Sequence, residues 1–454
     1  MFRGLLGGFV VKNFLFFCTL IVGLGLAPKA WSKTNIYFQN RTGFKINFST
    51  SVAGSKLSSK AYGIVNAGLA AGDTKKIMWF NRDSGIKNGK TYQILTQISA
   101  GDTKIPLQMD LLWRLKGRSI GSYLNHGFIV EGVFKEWGVK QRGAYLSRII
   151  GDNILRLTVH DSGRGIHDDL TYVLESFKMP EVSEDGSFKA MFYNIYMRPM
   201  FLFKNGQYQR AALIPQALKG RDILGFAEAF DNEIRGLVRL GLRRNYPFQT
   251  GVVGLDRGLE QDGGVFIASR LPILEEDEVL FGKVCARVLE DCLADKGVKY
   301  AKIWNGKKII HVFATHLQNG EDRKDKMVKR KQVDILGKFI QKKVAPDSDE
   351  LVLVLGDFNI DLRDDPDAFT RIGLRTQIPT ERPLSYDPAY NQLAEGTVAS
   401  QIDYILYSEN HSIPTNFNFS VTKLESKRHW RFRDFIKVYH DLSDHFPVEA
   451  EISF

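Results

Sequence analysis

The sequence predicts a two-domain protein of mixed class, in which an all-β, sandwich-like N-terminal domain precedes a domain of α/β type. The chain has 454 residues, and at about 100 to 200 residues per domain this length favours two or three domains. Short alternating runs typical of strands fill residues 33–180, whereas apolar strand-like runs alternate with helical patterns over residues 187–454. The polar stretch from Pro180 to Gly186 separates the two regions and is typical of a linker.

The composition is that of a globular protein. Hydrophobic residues make up 44% of the chain and charged residues 25%, which supplies enough apolar side chain for a sizeable core. These values exclude a disordered, collagenous or polytopic membrane protein. The formal net charge of +11 is compatible with a polyanionic partner or a membrane surface, but it identifies no substrate.

Residues 1–32 have the pattern of a cleaved signal peptide. Basic residues precede a 14-residue apolar run, 14–27, and Ala30-Trp31-Ser32 offers small residues at the first and third positions of a cleavage site. An uncleaved membrane anchor needs about 18 or more apolar residues, so export to the periplasm or the extracellular space is the favoured prediction. Removal of this segment takes away three cations and no acid, which lowers the net charge to +8.

Two cysteines remain in the exported chain, Cys285 and Cys292, seven positions apart. In an oxidising compartment they could close a small disulfide loop, and two buried free thiols are the alternative. Two cysteines are an incomplete ligand set for a structural zinc site.

The N-terminal domain, residues 33–180, is predicted from alternation of polar and apolar residues. Strand-like runs at 35–38, 44–48 and 91–95 are separated by turn signals at 40–43, 87–90 and 100–102. An antiparallel sandwich is the arrangement that buries one face of such strands. The sequence identifies no ligand or partner for this domain.

In the second domain, residues 187–454, apolar residues at three- and four-residue steps predict a helix over 332–343. Several apolar strand-like runs in the same domain lead directly to a polar residue that can bind metal or move a proton. Because strand ends converge when strands pair, we expect these residues to form one pocket. They are Asn194, Glu228, His316, Asp357, Asn359, Asp403, Asp444 and His445.

The residue types indicate metal-assisted phosphodiester hydrolysis. Oxygen ligands from Glu228 and Asn194 suit a hard cation, most simply Mg²⁺, although other divalent cations remain open. His445, oriented by Asp403 or Asp444, is the expected base that activates water, and His316 is expected to stabilise or protonate the leaving oxygen. Asp357 and Asn359, two residues apart on an expected extended segment, should point into the same pocket.

These residues resemble the endonuclease/exonuclease/phosphatase superfamily and, within it, the secreted magnesium-dependent neutral sphingomyelinase C enzymes of bacteria. The resemblance covers almost all of residues 187–454, and two segments narrow it to sphingomyelinases, Glu228-Ala-Phe-Asp-Asn232 and Tyr246-Pro-Phe-Gln-Thr250. The further matching segments are 193–197, 262–265, 296–297, 315–318, 356–359, 385–387 with Asn391, 402–405 and 443–447.

The resemblance implies a four-layered α/β sandwich of two packed sheets for the second domain. It implies that Glu228 and Asn194 hold magnesium, that His445 is the general base, and that Asp403 and Asp444 support this base or the metal site. Asn359 and His316 would contact the phosphate and the leaving group. The implied reaction releases phosphocholine from sphingomyelin and leaves ceramide in the membrane. Secreted relatives also have a small disulfide loop where Cys285 and Cys292 lie.

A lipid substrate requires contact with a membrane that contains sphingomyelin. Residues 427–437 interleave aromatic and cationic side chains, which suits the headgroup zone. Secreted sphingomyelinases resemble this chain in having an aromatic hairpin at that place, so Trp430 and Phe432 are candidate lipid contacts, together with Tyr386. The alternative is an amphipathic strand whose rings pack in the core.

Two other functions remain open at this point. A secreted nuclease or another phosphodiesterase on the same fold would use the same metal, histidines and carboxylates. The cations and aromatic rings of residues 427–437 would also suit nucleic acid, because rings can stack on bases. The family-narrowing segments count against a nucleic-acid substrate. A non-enzymatic binding protein would have lost pocket residues, whereas the set is complete.

Overall fold

A computed structural model describes twelve stretches of the chain. They are residues 33–59, 61–81, 86–101, 107–118, 122–130, 133–137, 145–161, 169–200, 203–256, 261–286, 291–431 and 437–454. The signal peptide predicted for residues 1–32 lies outside them. No helix among the described residues combines the length and the apolar character that crossing a bilayer requires.

The described chain contains twenty-seven strands and three α-helices, the first eleven elements all being strands. These are β1 (Lys33–Arg41), β2 (Ile46–Gly54), β3 (Tyr62–Ile64), β4 (Thr74–Asn81), β5 (Thr91–Ala100), β6 (Gln108–Gly117), β7 (Ser122–Val130), β8 (Val133–Trp137), β9 (Tyr145–Ile150), β10 (Asn153–Asp161) and β11 (Leu170–Lys178).

Helices enter the chain only after these strands. The later elements are β12 (Phe188–Met197), α1 (Gln207–Ala217), β13 (Ile223–Ala229), α2 (Asn232–Leu242), β14 (Phe248–Gln249), β15 (Gln261–Asp262), β16 (Phe266–Ser269), β17 (Ile273–Leu280), β18 (Ala294–Asp295), β19 (Gly297–Trp304), β20 (Ile309–His316), α3 (Arg323–Lys343), β21 (Leu351–Asp357), β22 (Leu374–Arg375), β23 (Asp403–Ser408), β24 (Asn416–Val421), β25 (Glu425–Trp430), β26 (Tyr439–Asp441) and β27 (Val448–Ser453). Short 3₁₀ turns lie at Asp291–Leu293 and Thr370–Ile372.

The chain divides into two compact units, one of residues 1–142 and 158–175, the other of residues 143–157 and 176–454. Within the first unit, β2-β5-β6-β7-β8 form an antiparallel sheet, and β3-β4-β1-β11 are neighbours in another. Rings from both sheets meet in its core, where Phe38 contacts Phe48 and Tyr172 contacts Trp113, with centroids 4.9 and 5.7 Å apart. The described residues of this unit form strands and no helix, as the alternating pattern predicts.

The second unit is built around two six-stranded sheets, with strand orders β14-β16-β13-β12-β27-β24 and β17-β19-β20-β21-β23-β22. Alternation along β12 places Ala190 and Phe192 in one apolar cluster and Met191 and Tyr193 in another, because successive side chains point to opposite faces. The first cluster contains residues of both sheets and the second contains residues of α1 and α2. The sheets approach closely at Gly225 of β13, where a Cβ atom would lie 3.4 Å from Leu355 of β21.

The periodic segment 332–343 lies in α3, which begins nine residues earlier than the pattern predicts. The Asp322 side chain caps the helix by accepting from the Asp325 backbone N–H, and the Asp325 side chain accepts from the Asp322 backbone N–H. This reciprocal capping box satisfies helix-end donors and explains the earlier start. Phe339 packs on Phe313 of β20, with centroids 5.6 Å apart, so the helix covers the second sheet.

Candidate active site

Strand register brings the predicted polar residues to one end of the two sheets. His316 pairs with Asp357 across β20 and β21, and Asp357 pairs with Asp403 across β21 and β23. Paired residues share a face of a sheet, and Asp357 lies two residues beyond Leu355, which faces the first sheet. All three side chains therefore project from the same face, at the mouth between the sheets.

One hydrogen bond joins the two sheets at this mouth. Asn194 of β12 donates from Nδ2 to Oδ2 of Asp357, at 3.0 Å. Asn194 also accepts from the backbone N–H of Tyr196 at 3.1 Å. The second oxygen of Asp357 accepts from the backbone N–H of Asn359 at 3.0 Å.

His445 is oriented by Asp403, which resolves the choice that the sequence left open between Asp403 and Asp444. Nδ1 of His445 lies 2.8 Å from Oδ2 of Asp403, and a carboxylate there requires the ring proton on Nδ1. A neutral His445 therefore presents the lone pair of Nε2, which lies 3.9 Å from Oδ2 of Asp357. This is the arrangement that a general base needs.

Carboxylates surround this histidine. Burial opposes the protonated ring, but the charges of Asp403, Asp444 and Asp357 outweigh it and raise the pKa of His445 well above its usual range. Burial, aided by the Asp403 carboxylate, raises the pKa of Asp357 to about 7. Burial and the Glu228 carboxylate raise the pKa of Asp444 to about 6 against the opposing charge of His445. The protonation states of His445, Asp357 and Asp444 therefore depend on one another.

His316 has the opposite electrostatic environment. Its Nε2 lies 3.3 Å from the Lys296 ammonium, and burial followed by this cation lowers the pKa of His316 well below its usual range. Because Lys296 can only donate, Nε2 must accept and the ring proton must sit on Nδ1. Nδ1 is buried without a hydrogen-bond partner, so a neutral His316 has one N–H that no described residue accepts.

Three residues of the site have left-handed backbone conformations that are unusual outside glycine. Tyr196, Glu228 and Asn359 have φ angles of 50°, 52° and 51°. Each such residue stores strain of about 1–3 kcal/mol, which surrounding structure must enforce. The Asn359 carbonyl is held by the buried Lys329 ammonium, while Nδ2 of Asn359 lies 3.4 Å from the Leu317 carbonyl.

The expectation of an extended segment from Asp357 to Asn359 is wrong. β21 ends at Asp357, and the bond from the Asn359 N–H back to the Asp357 side chain closes a local turn. Asp357 still lies at the mouth, and the turn brings Asn359 Nδ2 beside the carbonyl of Leu317, which directly follows His316.

Glu228 offers the clearest fit for a cation. Its Oε2 atom is buried and has no hydrogen-bond partner, although an unsatisfied buried carboxylate oxygen is costly. Asn194 Oδ1 accepts one bond and has a second lone pair. An oxygen donor set of this kind suits Mg²⁺ or another hard cation.

A second group could also hold a cation. Ligand atoms of Asp357, Asp403 and His445 all lie within 4.8 Å of one another, and Oδ1 of Asp403 has no hydrogen-bond partner. Apart from His445 Nε2, the other ligand atoms of this group are engaged, since His445 Nδ1 bonds Asp403 and both Asp357 oxygens accept hydrogen bonds. Glu228 therefore remains the better candidate ligand.

The aromatic candidates differ in their placement. The Tyr386 ring packs edge-on against His445, with centroids 5.2 Å apart, and it forms a wall of the site. Phe432 lies outside the described residues. Trp430 is only 4% exposed, because its ring stacks on Tyr439 and its Nε1 donates to the Asp441 carbonyl at 3.1 Å. This corrects the expectation that the Trp430 ring faces lipid.

Replacing Trp430 with alanine should therefore destabilise the protein. Removal of a buried tryptophan costs about 3–5 kcal/mol, and the ring also packs against Gly206 at the start of α1. Denaturant unfolding should show this loss in the free energy of unfolding. Arg428→Ala, at an exposed position of the same strand, should change it by about 0.5 kcal/mol or less. Equal stabilities of the two variants would contradict the buried placement.

The predicted disulfide is confirmed, since Cys285 and Cys292 are bonded with their Cα atoms 5.4 Å apart. Asp291, the residue before Cys292, pairs with Lys296 and accepts from Gln318 Nε2 at 2.7 Å. The disulfide loop therefore places the Asp291 carboxylate beside the Lys296 ammonium, which in turn contacts His316. Sequence reasoning missed the contact of Lys296 with His316, for which the Lys-Gly segment was the only signal.

Comparison with known proteins agrees with this geometry. The sequence profile of the Endonuclease/Exonuclease/phosphatase family matches residues 191–445. A sphingomyelinase C of Bacillus cereus is 33% identical over 304 residues, which cover 60% of this chain and 90% of that protein. A phospholipase C of Staphylococcus aureus is 30% identical over 302 residues, which cover 61% and 90%.

Solved structures show the same likeness. The crystal structure of a Staphylococcus aureus beta toxin variant with bound magnesium ions superposes with a TM-score of 0.53 at 29% identity, over 58% of this chain and 99% of that one. The family profile match, residues 191–445, lies wholly within the second unit. Relatives with sphingomyelinase and phospholipase activity indicate a hydrolase of the phosphodiesterase type.

Proposed function

The chain belongs to the endonuclease/exonuclease/phosphatase family, and from this premise we propose that it is a sphingomyelin phosphodiesterase that hydrolyses sphingomyelin to ceramide and phosphocholine. Relatives named sphingomyelinase C and phospholipase C support the substrate class. One observation on this chain supports the chemistry most directly. Asp403 orients His445 by a hydrogen bond, and Glu228 has a buried carboxylate oxygen without a hydrogen-bond partner. Both His445 and Glu228 interact electrostatically with the same carboxylate, Asp444.

In the proposed reaction, His445 Nε2 accepts a proton from water as the water oxygen attacks phosphorus. Asp403 keeps the ring oriented and stabilises its protonated form. The phosphorus–oxygen bond to ceramide breaks, and the leaving oxygen takes up a proton as ceramide is released. We propose that the N–H of neutral His316 and the Asn359 amide donate to phosphoryl or leaving oxygens.

We propose that Glu228 and Asn194 hold the cation, as Mg²⁺ or another divalent ion. When bound, such a cation supplies Lewis-acid stabilisation of the phosphoryl oxygens and charge that offsets the carboxylates around His445. Asp357 holds Asn194 through the bond between the sheets, and Ser443 Oγ donates to the Asn194 carbonyl at 2.7 Å. These contacts fix the ligand residue relative to the segment that bears His445.

We also propose the four-layered α/β sandwich for this unit. The packing of α1 and α2 on the first sheet, the apposition of the two sheets and the packing of α3 on the second sheet support it. The division of the chain into domains at residues 33–180 and 187–454 remains a proposal as well.

Export through a cleaved signal peptide and action at a membrane surface are further proposals. The exposed cations Lys427, Arg428 and Lys437 on the hairpin of β25 and β26 support contact with lipid phosphates. The Trp430 ring does not contribute in this conformation. A role in damaging host cells or in nutrition would follow from the same activity.

A substrate panel tests the proposed function. Purified protein with Mg²⁺ is offered vesicles of sphingomyelin, vesicles of phosphatidylcholine and supercoiled plasmid DNA, and released phosphocholine and nicked DNA are measured. We expect rapid phosphocholine release from sphingomyelin and no nicking. Nicking without phosphocholine release would replace the proposal with the nuclease alternative.

A further inference from the structure

A fully buried arginine lies behind the site, on helix α1. Arg210 is 0% exposed, although arginine is almost never fully buried unless it is paired. Its guanidinium donates from Nη1 to the carbonyls of Ile195 at 2.8 Å and Leu442 at 3.0 Å. Nη2 donates to the carbonyl of Tyr196 at 2.7 Å.

The remaining donors of Arg210 bind Asn205. Nε donates to the Asn205 carbonyl at 3.2 Å, and Nη2 also contacts the Asn205 side-chain oxygen. Every one of these acceptors is a neutral oxygen. Burying a charge without an adjacent counter-charge is costly. The hydrogen bonds of Arg210 must therefore stabilise the folded state enough to offset this cost.

Arg210 has its electrostatic partners in the active site. Burial lowers the pKa of Arg210 to about 10, while the carboxylates of Asp444 and Glu228 oppose this shift. The guanidinium therefore stays protonated at neutral pH. Its charge also lowers the pKa of Asp444, against the larger effect of burial.

The carbonyls that Arg210 holds belong to the two segments that bear the proposed chemistry. Ile195 and Tyr196 directly follow Asn194, and Tyr196 has the left-handed φ of 50°. Leu442 directly precedes Ser443, Asp444 and His445. One planar guanidinium thus spans from the end of β12 to the segment before β27.

We propose that Arg210 is a positioning residue for the phosphodiesterase reaction, which fixes the segment of Asn194 relative to the segment of His445. This inference rests on the proposed function. No direct contact of Arg210 with the reacting atoms is involved. A lysine at this place would keep the charge but lose the rigid fork that reaches four carbonyls.

The test compares Arg210→Lys with a matched control, Arg221→Met. Arg221 forms a bidentate pair with Glu449 at 3.0 and 2.6 Å and precedes β13, at the strand end away from Glu228. A misplacement of about 1 Å can cost about 10²-fold in rate. We therefore expect Arg210→Lys to lower kcat on a soluble phosphocholine diester by about 10- to 100-fold, with KM nearly unchanged. Arg221→Met should keep kcat and lose only stability.

A second readout is independent of turnover. In metal-free protein, hydrogen exchange of the segments 194–197 and 442–446 should be faster in Arg210→Lys than in wild type, with exchange in β20 and β21 unchanged. Wild-type kcat per folded molecule in Arg210→Lys, or wild-type protection of both segments, would overturn the proposal. A wild-type protein that hydrolyses no phosphodiester would instead overturn the proposed function, and the exchange result would still stand.

A milder variant guards against misfolding. Asn205→Ala removes one acceptor of the guanidinium and leaves Arg210 in place. If Arg210→Lys is insoluble, Asn205→Ala should still lower kcat several-fold at nearly constant KM. Full activity with wild-type exchange in that variant would count against the proposal.

Discussion

Replacing His445 with alanine is expected to lower kcat by about 10²–10⁴-fold, the usual contribution of a general base. The side chain provides the only ring in the described site that a carboxylate orients within hydrogen-bond distance, through the 2.8 Å contact with Asp403. His316 cannot replace it, because its Nε2 already accepts a hydrogen bond from the Lys296 ammonium. Burial and this cation also lower the pKa of His316, which makes it a weak base. Phosphocholine release from sphingomyelin vesicles under saturating conditions measures the loss.

The control for this variant is His411→Ala. His411 lies 2.8 Å from the Ser408 hydroxyl, and none of its contacts involves the site residues. We expect His411→Ala to retain wild-type kcat and both variants to unfold cooperatively. Near-normal turnover by His445→Ala would remove His445 from the role of base.

Replacing Glu228 with glutamine should abolish the response of the enzyme to divalent cations. A cation stabilises the transition state by several kcal/mol, so its loss corresponds to about 10²–10³-fold in kcat at 1.36 kcal/mol per factor of ten. The size of the side chain is retained, so the loss would not be a packing defect. Activity measured against Mg²⁺ concentration tests this directly.

Although Glu228→Gln should lose activity, we expect it to keep or gain stability in the absence of metal. Glu228 Oε2 is buried without a hydrogen-bond partner, and removing its charge relieves the desolvation cost of that oxygen and its repulsion with Asp444. Metal-free Glu228→Gln should therefore have a Tm equal to or above that of metal-free wild type, and Mg²⁺ should raise the Tm of wild type alone. Glu233→Gln, at an exposed position on α2, should behave as wild type in both measurements. A Glu228→Gln protein that Mg²⁺ still stabilises would place the ion elsewhere.

The sequence predicted much of the site because the site depends on local patterns. Each of Glu228, His316 and Asp357 follows an apolar run that forms a buried strand. Strand pairing alone then brings such residues to one edge, so their convergence follows from the period of two and from the position of each residue at its strand end. The disulfide followed from the spacing of two cysteines in a chain predicted to be exported.

Other features depend on contacts between distant segments and left no local signal. Whether Asp403 or Asp444 orients His445 is decided by the pairing of β21 with β23, which places Asp403 beside Asp357. The burial of Trp430 depends on Gly206, which is 224 positions away in the sequence. An interleaved aromatic and cationic segment fits a membrane contact and a packed hairpin equally well, so composition could not decide between them.

Arg210 illustrates the same limit. It occupies a buried position of α1, in helical step with Gln207 and Ile214, and a helical pattern alone would place a charged residue at the surface. Its five hydrogen bonds reach segments as far away as Leu442. Only the packed structure shows which carbonyls it holds.

The most direct test of the account is to locate the cation by anomalous diffraction from crystals grown with Mn²⁺. We expect an anomalous peak bound to Glu228 and Asn194, with His445 Nε2 unbound and facing the same cleft. A peak coordinated by His445 together with Asp357 and Asp403 would contradict it, because a metal-bound Nε2 cannot accept a proton from water.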